Sequence, residues 1–199
     1  MRQMIPVLLL LTLLLPAAAA AQPPVTRAQF VAALWACAGG VPYDANGPFA
    51  DVERNDPGAT AIAWAYDLGV VQGTGGACFT PDRPVTREEA AMFLRRYAAH
   101  LGRDTFLPGG AAACNDFVDI SPWADDSLYW ATAVGLLEWS EGGRLAPQEY
   151  VSADELERTL SRFFDRPVPA VPYLLEHWPT TEAMIEFSIS PTSPDMRAI

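Results

Sequence analysis

The sequence predicts an all-α protein: three helices share one core, two helix-loop prongs project from it, and a third prong is missing. Three observations predict this. The pentapeptide Val85-Thr86-Arg87-Glu88-Glu89 recurs sixty residues earlier as Val25-Thr26-Arg27-Ala28-Gln29, and sixty-six residues later as Val151-Ser152-Ala153-Asp154-Glu155. Each copy fits a capping box, in which hydroxyl and acid (or amide) satisfy each other's orphan backbone donors. This nominates Thr26, Thr86, Glu89, Ser152 and Glu155 as capping residues. Beyond each cap, apolar residues recur on one helical face, as in Ala90, Phe93, Leu94, Tyr97 and Leu101, and such a stripe must be buried.

Taken in chain order, residues 1–21 come first. Arg2, an apolar run and a small-residue end at Ala19 and Ala21 describe a secretory signal peptide. The eleven apolar residues of the run fall short of the roughly 20 that cross a bilayer, so no transmembrane segment is expected after cleavage. Residues 22–40 hold a leading bundle helix, half a repeat. Residues 45–108 form a full repeat and 113–166 a divergent one, joined by the offset of sixty-six that also aligns Trp64 with Trp130, Gly69 with Gly135 and Arg96 with Arg162. Within each repeat an excursion opens with Phe-x-Asp, at Asp51 and at Asp119. It continues into a short helix ended by Gly69 or Gly135, as expected of a C-terminal glycine. Residues 167–199 are rich in proline and read as a tail, with a short strand possible at 184–189.

Composition removes several functions. The chain has 199 residues, 13 basic ones that are all Arg, and 24 acidic ones, for a formal charge of −11. Without lysine there is no Schiff-base or P-loop chemistry. Two histidines, His100 and His177, leave little for a metal site or a catalytic triad, so no metal and no cofactor are expected. The acidic balance argues against nucleic acid, which needs clustered cations. The acids at Asp51, Glu53 and Asp56 lack the glycine and terminal glutamate of a calcium loop. Export permits disulfides, and Cys37, Cys78 and Cys114 allow one bridge with one thiol left over. The sequence leaves the pairing open.

The ordered set Phe49-x-Asp51-Val52, Trp64-Ala65, Gly69-Val70-x-x-Gly73, Phe79-x-Pro81 and Val85-Thr86-Arg87-Glu88-Glu89 resembles the S-layer homology repeat. The resemblance covers most of residues 25–164. It implies an exported, non-catalytic protein that binds an acidic cell-wall polysaccharide and anchors at the cell surface. By position it nominates Arg27, Arg87, Asp51, Trp64, Gly69 and Gly73 for the polysaccharide, with Trp130 from the second copy. That copy departs from the pattern: Ala153 stands in place of the arginine and Trp139 in place of Gly73.

The residues themselves weigh these roles. A cation at the first helical position opposes the helix dipole by a few tenths of a kcal/mol. Arg27 and Arg87 are therefore expected to meet an anion together with free helix N–H groups. Their structural alternative is a salt bridge to Asp51, Glu88 or Asp119. Core packing is the favoured role of Trp64 and Trp130, and a turn or cap that of Asp51 and Asp119. The alternative to wall binding is a degenerate scaffold that makes protein–protein contacts at the envelope. An enzyme is not expected, since no pair of carboxylates or nucleophile motif stands out.

Overall fold

The computed structural model describes residues 23–44, 46–107 and 113–165. The signal-peptide reading of 1–21, most of the proline-rich tail and the candidate strand at 184–189 lie outside them. Five α-helices follow in order: α1 (Arg27–Cys37), α2 (Ala59–Asp67), α3 (Arg87–His100), α4 (Asp125–Ala133) and α5 (Ala153–Phe164). No strand occurs among the described residues, only isolated bridges. The fold is all-α.

Helices α1, α3 and α5 form the core bundle because each begins at a hydroxyl cap and then turns one apolar face inward. Thr26 and Thr86 accept from the N–H groups of Gln29 and Glu89, whose side chains return to the cap N–H in a closed capping box. Ser152 accepts from the Glu155 N–H, but the Glu155 carboxylate goes elsewhere, to Arg87. Phe30, Leu34, Phe93, Leu94, Leu156 and Leu160 meet in the buried centre, with the rings of Phe30 and Phe93 5.8 Å apart.

A ring of three hydrogen bonds closes the bundle at its capped end. The N–H of Val25 donates to the carbonyl of Val151 (2.9 Å), Val85 to Val25 (2.9 Å) and Val151 to Val85 (3.0 Å). All three valines are buried. The residue before each cap thus donates to one copy and accepts from another, which places the three copies about a pseudo-three-fold axis. The extended backbone at each cap (ψ 165°, 160° and 163°) makes this geometry possible.

Each prong packs its short helix on the core helix before it, α2 on α1 and α4 on α3. Ala28, Val31, Ala32 and Trp35 of α1 are buried. The corresponding positions of α5 are Asp154, Glu157, Arg158 and Ser161, none of them buried.

Leu160 sits at 0% exposure in this centre. Leu160→Ala is expected to lower unfolding free energy by about 2–5 kcal/mol, read by chemical denaturation of the mature chain.

Candidate functional site: arginine clamps and a cationic cleft

Arg27 and Arg87 leave the first turns of α1 and α3 and run into the protein. Both are buried, with Arg27 at 2% and Arg87 at 5% exposure. Arg27 Nε donates to the Phe79 carbonyl (2.9 Å), Nη1 to Glu89 (2.7 Å) and Nη2 to the Gln72 carbonyl (3.1 Å). Its guanidinium lies 4.5 Å from the centre of the Phe79 ring. Arg87, sixty residues on, repeats the pattern with partners offset by sixty-six: Nε to the Leu145 carbonyl (3.0 Å), Nη2 to the Glu138 carbonyl (2.6 Å), and Nη1 paired with Glu155. Each arginine clamps the prong that follows it to the cap glutamate of the next core helix. Lysine, with no planar fork of donors, cannot hold three acceptors in this way. Burial lowers the pKa of both arginines, opposed by the charges of Glu89 for Arg27 and of Glu149 and Glu138 for Arg87.

The expectation of free guanidinium groups beside free helix N–H groups is therefore corrected. The first N–H groups are consumed as well, Arg27 and Ala28 by the carbonyls of Arg83 and Pro81, Arg87 and Glu88 by those of Glu149 and Pro147.

The other nominated residues also fall into place as parts of the prongs. Asp51 accepts from the N–H groups of Phe79 and Thr80, both at 2.7 Å, and so holds the turn where Thr80 adopts a left-handed φ of 55°. Its counterpart is Asp116, not Asp119: Asp116 accepts from Leu145 (2.9 Å) and Ala146 (2.7 Å), and Ala146 has the same left-handed turn, φ 51°. Phe117 is exposed where Phe49 is buried, which confirms the shift of register. Trp64 and Trp130 are core residues at 9% and 3% exposure, with the Trp64 ring 5.5 Å from Tyr97. Gly69 ends α2 with a left-handed φ of 71°. At Gly73 a Cβ would meet the Cys78 carbonyl oxygen at 2.7 Å, so the hairpin requires glycine there. Cys37, Cys78 and Cys114 remain thiols rather than forming the one bridge allowed for. They lie at the end of α1, in the first hairpin and beside Tyr129 respectively, and Cys114 Sγ is 3.1 Å from the Tyr129 hydroxyl.

Of the nominated residues, the structure brings Arg27 and Gly73 together at the rim of a cleft of about 390 Å³. One wall is the hairpin of the first prong, with Gln72, Gly73 and Thr74. The floor is α3, with Glu89, Met92 and Arg96, and Trp123 of the second prong faces them. Three guanidinium groups, those of Arg27, Arg83 and Arg96, meet one carboxylate here. This is a cationic spot in a chain of formal charge −11. Arg83 is 40% exposed and Trp123 53%. Among the described residues Arg96 reaches the Gln72 side chain, at 3.5 Å. Its Nη1 is buried with no hydrogen-bond partner among the described residues, and burial lowers its pKa. Sequence reasoning passed over Arg83, Trp123 and Asp116. Arg96 it registered only as an aligned repeat position. Among the described residues no group of three His, Cys, Asp or Glu side chains is placed to hold a metal ion, and no helix is long and apolar enough to cross a membrane.

A family model described as S-layer homology domain matches residues 48–91, from the first prong to the first turns of α3. Residues 48–91 are an S-layer homology domain. It is 31% identical over 138 residues to an endoglucanase of Bacillus sp. (strain KSM-635), a match covering 69% of this chain and 14% of that protein. A cell surface protein of Thermoanaerobacter kivui is 31% identical over 117 residues, covering 58% and 15%. The surface-layer 125 kDa protein of Lysinibacillus sphaericus is 29% identical over 130 residues, covering 62% and 10%. The chain thus spans no more than about a seventh of these relatives. An S-layer homology domain with surface-layer relatives marks this as a protein of the cell surface.

The two turn aspartates give the domain a pH dependence. Burial opposes ionisation of Asp51 and Asp116, but the backbone N–H groups they accept from outweigh it and hold both below the usual carboxylate range. A depressed folded pKa contributes stability that is present above the unfolded value, about 3.9, and is lost as pH falls through the folded one. Thermal melts should therefore fall steeply below about pH 4. In D51N and D116N the melting temperature should be lower at neutral pH and flatter in acid. A wild-type melt independent of pH down to strong acid contradicts this.

Proposed function

We propose that this chain is a non-catalytic anchor that binds an acidic secondary wall polymer in the cleft between its two prongs. The observation that carries the reading is Arg96, whose buried Nη1 has no partner among the described residues, in a cleft already holding Arg83 and Arg27. A buried donor left unpaired costs free energy that a ligand acceptor recovers. A carboxylate on a sugar supplies that acceptor with a charge of the right sign, and the half-exposed Trp123 gives the ring a surface to stack on. Gly73 keeps the hairpin wall close. The polysaccharide meets Arg27 only at the rim, and Arg87, Asp51, Trp64, Gly69 and Trp130 act by holding the prongs and core that shape the cleft.

The long relatives support an anchoring role, because the shared part is a small share of an endoglucanase and of an amylopullulanase of Thermoanaerobacterium thermosulfurigenes. A second reading, a scaffold for protein–protein contact at the envelope, is favoured by the departures of the second copy, Ala153 in place of the arginine and Trp139 in place of Gly73.

Co-sedimentation of the mature chain with purified wall sacculi separates the two. R96A should lose at least tenfold in affinity, since a charge-assisted hydrogen bond contributes about 1.5–3 kcal/mol. Its melting temperature should hold. R54A, altered at an exposed arginine paired with Asp44 away from the cleft, should bind normally. Walls stripped of their acidic polymer should bind neither variant nor wild type. Unchanged sedimentation of R96A rejects the cleft as the anchor and favours the scaffold.

A further inference from the structure

The offset of sixty-six lays a second set of residues over the cleft. Arg96 corresponds to Arg162, Arg27 (through the offset of sixty) to Arg87, and Glu89 to Glu155. Gln72 becomes Glu138, Gly73 becomes Trp139, and Arg83 becomes Glu149. The scaffold under these positions is the same: Arg87 holds the Glu138 carbonyl as Arg27 holds that of Gln72. The hairpin bonds Thr74–Cys78 and Ser140–Arg144 match at 2.8 Å each. What differs is the occupant of the arginine. Arg96 faces a neutral amide at 3.5 Å and keeps a buried nitrogen without a partner among the described residues, whereas Arg162 is ion-paired with the Glu138 carboxylate.

We infer that the face beside α5 is a second carboxylate-binding site, for an acidic sugar, held shut by the chain's own Glu138. It rests on the reading of the first cleft as acid-binding. Glu138 presents to Arg162 the group that an acidic sugar would present to Arg96. A carboxylate tethered next to its partner has an effective concentration far above that of a free ligand, and its charge repels a second anion. The pair is exposed, with side-chain exposures of 39% for Arg162 and 59% for Glu138, so it adds little stability; its effect is to occupy the arginine. The Arg162 hydrogen bond and charge hold the Glu138 pKa below the ordinary value, so it stays ionised at neutral pH.

The rest of the face is equipped for the same ligand. Arg158 replaces Met92 and lies within electrostatic reach of Glu138. Without Glu138, Arg158 and Arg162 stand against Glu149, with Arg87 and Glu155 already paired to each other. Trp139, 41% exposed, offers beside Glu138 an indole like the one that Trp123 offers from across the first cleft. Glu138→Gln restores the residue found at the first cleft and removes no packing.

The test is a titration of the 15N-labelled mature chain with a galacturonic acid trisaccharide, following arginine Nε–H and tryptophan indole resonances. In wild type, Arg96 and Trp123 should shift and Arg162 and Trp139 should not. In E138Q, Arg162 and Trp139 should shift too, with stoichiometry rising from one to two. E138Q/R162A should return it to one. Equal shifts at Arg162 and Arg96 in wild type overturn the inference, as does a silent Arg162 in E138Q. Silence at Arg96 with a response at Arg162 in E138Q rejects the first cleft as acid-binding and upholds the latent site.

Discussion

The structure depends on a buried guanidinium that reaches from the start of one helix across to the next copy of the repeat. Burying such a charge is costly unless its donors are paired. Arg27 and Arg87 meet that condition by taking two prong carbonyls and one cap glutamate each. One side chain thereby fixes three things that would otherwise move independently: a core helix, the return of a prong and the cap of the following helix. The ring formed by Val25, Val85 and Val151 sets the three caps about one axis, and the arginines then hang the prongs from it. Since Glu89 serves as cap partner for Thr86 and also receives Arg27 and Arg83, a change at either end is felt by two copies.

The clamp also decides where binding chemistry is left over. Arginines spent on carbonyls and glutamates are unavailable to a ligand, so in the proposed reading recognition falls to those that the scaffold leaves incompletely paired. In the first cleft that is Arg96, supported by Arg83. At the matching face of α5 the pattern of charge is rewritten by Glu138 and Glu149. An acidic chain should repel an acidic polymer at long range, but screening confines that repulsion to about 8 Å at physiological salt. Inside the cleft the local cations dominate. Two copies with one backbone thus differ in the charge they present.

The fold was readable from the sequence because its determinants are local. Three capping signatures, the apolar stripes beyond them and the glycines ending α2 and α4 all act within a few residues. The offsets of sixty and sixty-six then gave the number of core helices. The roles of Arg27 and Arg87 were not readable, because their partners lie 45 to 68 residues away, and an arginine beside a helix dipole looks the same whether it faces a ligand or the core. The pairing of Asp51 with Asp119 failed for a different reason. Phe117-x-Asp119 copies the local pattern, but the carboxylate that reaches the second turn is Asp116, a relation visible only through its contacts with Leu145 and Ala146. Arg83 and Trp123 carry no motif at all; the cleft makes them neighbours.

Native-state hydrogen exchange on R27A and R87A tests the clamp most directly. Removing one partner of a buried ion pair costs about 3–5 kcal/mol, and the account places that loss in one prong at a time. Exchange should quicken around the Thr74–Cys78 hairpin in R27A and around the Ser140–Arg144 hairpin in R87A, with the other hairpin protected in each. If both variants instead leave the two hairpins as protected as wild type, the arginines do not hold the prongs and the account fails.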